Sequence, residues 1–162
     1  MPPTASDLSR KLTLGPLVDH HAFALTARAE PLVWARETVR RELTGRIDQG
    51  RIDDAVLVVV ELLTNAIRHA GGPVCLTVDL YEKGVIVGVV DRGRDTTAVP
   101  TVSRSLLAEL QDEVSATTCV ADLPESGRGL FLIDAFANGW GVEPVHEGKV
   151  VTAAFCLTGS AA

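Results

Sequence analysis

Glu61, Asn65 and His69 stand four residues apart in the stretch Val60-Glu61-Leu62-Leu63-Thr64-Asn65-Ala66-Ile67-Arg68-His69. On a helix that spacing lays them along one polar stripe. The stripe runs beside an apolar face carrying Val59, Leu62, Leu63, Ala66 and Ala70, so its side chains border a cleft rather than open water. The carbonyl oxygen of an Asn is a hard, neutral ligand for magnesium, with phosphate oxygens and water filling the remaining positions. A Glu one turn away can accept a proton from a hydroxyl or water near a transferred phosphoryl group. Taken alone the stripe decides little, because the polar flank of an arbitrary helix is more often simply solvated.

Two further stretches carry residues of chemical interest. Val87-Gly-Val-Val-Asp91-Arg-Gly93 ends an apolar run on a carboxylate and adds a glycine two residues later. A turn explains this as well as a base pocket would, in which Asp91 accepts from the exocyclic amino group of adenine and Gly93 lets the backbone approach the ring. Ser126-Gly127-Arg128-Gly129-Leu130 leads into a helical pattern. Glycines at a helix start expose N–H groups and the positive end of the helix dipole to an anion, although a plain N-terminal loop has the same composition. No GK[ST] follows, and no GxGxxG follows a strand, which excludes a Walker A loop and a dinucleotide fingerprint.

The elements that must position these residues are legible at low resolution. Residues 1–19 mix Pro, Ser, Thr and Gly with little periodicity and read as a flexible N-terminal extension, ahead of a domain over 20–160. The adjacent His20 and His21 point in different directions on any regular element, which argues against a shared metal. Phe23 to Leu25 is a short strand, and Pro31 opens a helix from Leu32 to about Gly45. Asp53 or Asp54 caps a second helix that ends near Ala70, before Gly71-Gly72. Val74–Leu80 and Val85–Val90 form a hairpin through Glu82-Lys83-Gly84. The connection from Asp91 to Gly127 is of a length that marks a lid, a binding loop or a disordered segment, with the expected lid over about 94–127. Leu130–Ala137 is a third helix stopped by Asn138-Gly139, and a hairpin of Trp140–Val145 and Val150–Leu157 closes the chain. The expected architecture is a two-layer α/β sandwich, its mixed, mainly antiparallel sheet covered on one face by about three helices.

Composition narrows the class. A chain of 162 residues, 46% hydrophobic and 22% charged, suits a single globular domain. A net charge of −6 argues against nucleic acid or an anionic membrane as the main partner. Cys75, Cys119 and Cys156 show no CxxC spacing, and neither a signal peptide nor a spanning apolar run is visible, so the expected location is cytoplasmic.

Three boxes in this order resemble the GHKL ATPase superfamily, which joins gyrase, a heat-shock chaperone and the histidine kinases. ELLTNAIRHA looks like its N box, VVDRG its first glycine box, and ESGRGLFLIDAFANGWG its second, with Gly148-Lys149-Val-Val like its final hairpin. The similarity spans about residues 21–157 and is greatest to the single-domain anti-sigma-factor serine/threonine kinases and their actinobacterial relatives. The resemblance implies the Bergerat fold with ATP and Mg2+ as cofactors. It makes Asn65 the magnesium ligand, Glu61 the general base and Asp91 the acceptor for the adenine amino group. It also gives Gly93, Gly127, Gly129 and Leu130 to the pocket and lid, with Arg128 meeting a phosphate or pointing outward. Arg94 departs from the pattern where many members have a second glycine. Val150 stands where a Thr is common, and Thr152, on the same strand face, substitutes for it only if the strand is shifted. The implied function is an anti-sigma factor that phosphorylates an anti-anti-sigma (STAS-type) partner and binds a sigma factor, with a homodimer left open. The alternatives are an ATP-binding module that works by partner exchange without catalysis, and a detached histidine-kinase-type catalytic domain.

Overall fold

A computed structural model of the chain describes residues 4–94 and 133–157. Its elements run α1 (Ala5–Lys11), β1 (Leu17–Ala24), α2 (Pro31–Leu43), α3 (Gln49–His69), β2 (Pro73–Tyr81), β3 (Gly84–Asp91), β4 (Gly139–Val145) and β5 (Gly148–Cys156). Residues 133–136 are also helical.

The five strands form one sheet in the order β1-β2-β3-β5-β4, and every neighbouring pair is antiparallel. The expected mixed sheet is thus corrected to an antiparallel one, because β1 returns beside β2 and the two hairpins meet along β3 and β5. The sandwich itself is as expected. Val85, Val87 and Val89 of β3 alternate with Val151, Ala153 and Phe155 of β5 on the face that packs against α2 and α3. Helix α2 contributes Ala35, Val39 and Leu43 at helical spacing, after Pro31 at its first turn. Helix α3 contributes Ile52, Ala55, Val59, Leu62, Leu63 and Ala66.

Residues 4–19 depart from the expected flexible extension. Thr4 caps α1 through a capping box with Asp7, which satisfies N–H groups that a seven-residue helix would otherwise leave bare. Leu8 and Leu14 are buried against Ile86 and Ala154, which lie on the sheet face opposite α2 and α3. The sheet therefore carries helices on both sides, three-residue periodicity being too brief in so short a segment to announce the one on the outer side.

Helix α3 begins at Gln49 after Asp48, a turn earlier than a cap at Asp53 or Asp54 allows. The reason is tertiary. Arg51, in that first turn, donates to Phe136 O at 3.1 Å and to the side chain of Asn138, while Ile52 is buried. At the other end, Ala70 N and Gly72 N both donate to Ala66 O, at 3.2 and 2.9 Å, and close the helix. The adjacent imidazoles of β1 have separate partners: His20 pairs with Asp79, while His21 lies 3.1 Å from Asp19 and 3.7 Å from Glu42.

Candidate functional site

Glu61 and Asn65 lie on the flank of α3 where its buried face gives way to solvent. Both are half-buried, whereas Ala66 is buried and Arg68 exposed. Following the 100° step of a helix, Asn65 is turned closer to the sheet than Glu61. This flank is available to a ligand because the core needs only the neighbouring positions, Leu62, Leu63 and Ala66.

The C-terminal end of α3 meets the exit of β3. Arg92 N donates to Gly72 O at 3.2 Å, and a Cβ placed on Gly93 would come within 3.0 Å of Ala70 Cβ. Asn65 is five residues before Ala70, about 7–8 Å along the helix axis. Asn65 and Asp91 therefore border the same end of the seam between helix and sheet.

Asp91 continues the inward alternation of Val87 and Val89 and is only 4% exposed. Its Oδ1 accepts the backbone N–H of Gly93 at 2.8 Å and lies 3.1 Å from Nζ of Lys149, itself 6% exposed. Burial pushes the Asp91 carboxyl above the usual carboxylate range, against the opposing pull of the Gly93 N–H and the Lys149 ammonium. Glycine is required at Gly148, where a Cβ would strike backbone, and at Gly93 it leaves the room that the Lys149 ammonium takes. A Cβ on Gly93 would lie 2.5 Å from Lys149 Nζ, and one on Gly148 would lie 2.1 Å from Asp91 O. Their lack of side chains lets β5 draw in until Lys149 stands directly opposite Asp91.

That register corrects the expectation for the last strand. Val150 pairs with Val90 and Thr152 with Gly88, and both side chains point to the sheet face away from Asp91. Thr152 Oγ1 instead donates to Gly141 O at 3.5 Å, so it cannot serve at the carboxylate. The residue that does meet Asp91 is Lys149, which motif reading passed over. The signal was present in Gly148: a turn glycine fixes where β5 begins, and with it the partner of the last residue of β3.

Arg94 is exposed. Gly127, Arg128, Gly129 and Leu130, and the lid expected over 94–127 beyond Arg94, lie outside the described residues. Among the described residues no group of three or more His, Cys, Asp or Glu side chains is placed to hold a metal ion. None of the described helices is long and apolar enough to cross a membrane.

An antiparallel sheet covered by long helices on one face, with Glu61 and Asn65 half-buried on α3 and Asp91 buried at a strand end, agrees with the fold of a histidine kinase-like ATPase domain. Residues 25–155 match the histidine kinase-like ATPase domain family, and the chain belongs to it. The domains of that family bind ATP. No curated protein matches the chain with significant similarity.

Proposed function

We propose that the chain is a regulatory protein of the anti-sigma-factor type that binds Mg-ATP and phosphorylates a serine or threonine of an anti-anti-sigma (STAS-type) partner. The observation that carries this reading is the half-buried flank of α3, where Glu61 lies one turn from Asn65 and Asn65 lies towards the end of the helix that meets the exit of β3 beside the buried Asp91. The site's chemistry suits the nucleotide. Gly93 keeps the backbone bare beside a buried carboxylate, which is an acceptor of the kind that an amino group on a flat ring needs. The carbonyl oxygen of Asn65 suits magnesium, which takes few protein ligands and completes its shell with phosphate oxygens and water.

In this reading Asp91 accepts from the amino group of the base, Gly93 borders the ring and Asn65 holds the metal. Gly127, Arg128, Gly129 and Leu130, which lie outside the described residues, are given to the phosphate side by the motif resemblance alone. Glu61 takes the proton of the partner's hydroxyl as its oxygen bonds to the γ-phosphorus and the bond to the ADP leaving group breaks. Bound ATP supplies the phosphoryl group and bound magnesium neutralises its charge.

The test is phosphoryl transfer from Mg-ATP to purified STAS-domain proteins, read as phosphoserine or phosphothreonine by mass spectrometry. Transfer by the wild type, lost in Glu61→Ala while ATP still binds, is the expected result. If ATP binds and every such partner stays unmodified, the kinase reading fails and a module acting by partner exchange takes its place.

A further inference from the structure

The candidate pocket contains a buried cation that none of its three motifs announces. Lys149 is 6% exposed, and its Nζ lies 3.1 Å from Asp91 Oδ1, the same oxygen that accepts the Gly93 N–H. The position of the ammonium follows from Gly93, whose missing Cβ would come within 2.5 Å of Nζ. The amine thus takes the space that a side chain at Gly93 would fill and stands beside the carboxylate, so a base whose edge reaches Asp91 also reaches Nζ. A buried ammonium needs hydrogen-bond partners as well as an opposite charge. It has three N–H donors, and the contact with Asp91 Oδ1 uses one.

An acceptor and a donor therefore sit side by side, both fixed by the pairing of β3 with β5. The edge of adenine offers the complement on adjacent atoms, an amino donor at C6 and a lone pair at N1. Hypoxanthine and guanine reverse both, with a carbonyl at C6 and an N–H at N1. A carbonyl would then face the carboxylate, and an N–H would face the ammonium. Mismatches of this kind are heavily penalised in a buried site, because the polar groups of the protein are left without partners.

We propose that Lys149 is a base-specificity residue, donating to N1 of adenine while Asp91 accepts from the C6 amino group. This rests on the ATP-site reading above and adds to it the group that reads the second atom of the base edge. A charge-assisted bond of this type changes affinity by about tenfold or more.

The test is calorimetric titration of the full chain with ATP, 1-deaza-ATP (C–H in place of N1) and inosine triphosphate, all with magnesium. The wild type is expected to bind ATP about tenfold or more tighter than 1-deaza-ATP, and inosine triphosphate weakest. Lys149→Met is expected to bind ATP and 1-deaza-ATP equally within about twofold, and Lys149→Gln, which keeps an N–H donor, to recover part of the preference. Because Lys149→Met leaves a buried carboxylate alone, Asp91→Asn/Lys149→Met is titrated alongside, with folding of each variant checked by circular dichroism; it too should ignore N1. An unchanged preference for ATP in Lys149→Met or the double variant overturns the inference while leaving the ATP site standing. So does tighter ATP binding by Lys149→Met, which would mean that the amine competes with the base. A wild type that binds none of the three overturns the ATP site and this inference together.

Discussion

The chemistry of the candidate site turns on one buried ion pair. Asp91 and Lys149 face each other from the ends of two central strands, at 4% and 6% exposure, with Gly93 and Gly148 giving them room. Burial holds the Asp91 carboxyl above its ordinary range, so the folded protein binds that proton more tightly than the unfolded chain does. The sign follows. The contribution of Asp91 to stability is greatest below its unfolded value, about pH 4, and falls as pH rises through the higher folded value. Wild type should therefore lose stability relative to Asp91→Asn as pH increases from about 4 towards neutrality, read by urea unfolding of both proteins across that range. A difference that stays flat, or that grows with pH, would contradict the assigned direction. Half of this pair was legible in the sequence. A carboxylate closing a Val-rich strand with a glycine two residues on drew attention to Asp91, although the local pattern suits a turn equally and only the order of the boxes favoured a base pocket. Lys149 was not legible, because its role depends on which residue of β5 falls opposite the end of β3. That register is set by the close approach of Gly148 to the backbone of Asp91.

Elements were read well where one face alternates cleanly and poorly where tertiary contacts decide. The strands of the β2–β3 hairpin fall within a residue of the expected bounds, because both are Val- and Leu-rich and the turn at Glu82-Lys83 is short. The start of α3 was placed too late because Asp53 and Asp54 are good caps by type, while Arg51 holds an earlier turn in place. Its guanidinium reaches Phe136 O and Asn138, and Asn138 in turn accepts from Cys156 N at 2.9 Å. None of those partners is near in sequence. Helix α1 is the larger departure, since a seven-residue helix has little propensity signal and gains its stability from packing. Leu14 is fully buried and Leu8 is 2% exposed, both on the outer face of the sheet beside Ile86. Leu14→Ala should cost about 2–5 kcal/mol in a urea unfolding experiment, the range for emptying a buried leucine site. A frayed segment would give no measurable change, so a cost below about 0.5 kcal/mol would mean that residues 4–16 do not pack as described.

At the scale of the molecule, the site exists only in the folded chain. Asn65 comes from α3, Asp91 from the end of β3 and Lys149 from the start of β5, and sequence order alone brings none of them together. The three boxes were legible because each is local and their order is diagnostic. The sheet topology was not, because the return of β1 beside β2 and the meeting of the two hairpins along β3 and β5 are long-range pairings. A ligand that bridges such elements binds the native state and not the unfolded one. It must therefore stabilise the fold by about 2.7 kcal/mol at a hundredfold excess over its dissociation constant. In a chain of 162 residues that corresponds to a rise of roughly 5–10 °C in the unfolding midpoint. The protein carries a net charge of −6, so free ATP approaches against an unfavourable field and magnesium should add to the effect by neutralising phosphate charge. Thermal unfolding with ATP, in magnesium and then in a chelator, separates the two contributions. The wild type should show the full shift in magnesium and a smaller one in the chelator. If Asn65 holds the metal and Asp91 the base, as proposed, Asn65→Ala should show only the smaller shift under both conditions. A wild-type midpoint that ATP does not move, or an Asn65→Ala shift that still depends on magnesium, would remove Asn65 from the metal site. The magnesium dependence thus tests α3 separately from the strand ends, which a measurement of affinity for Mg-ATP alone would not do.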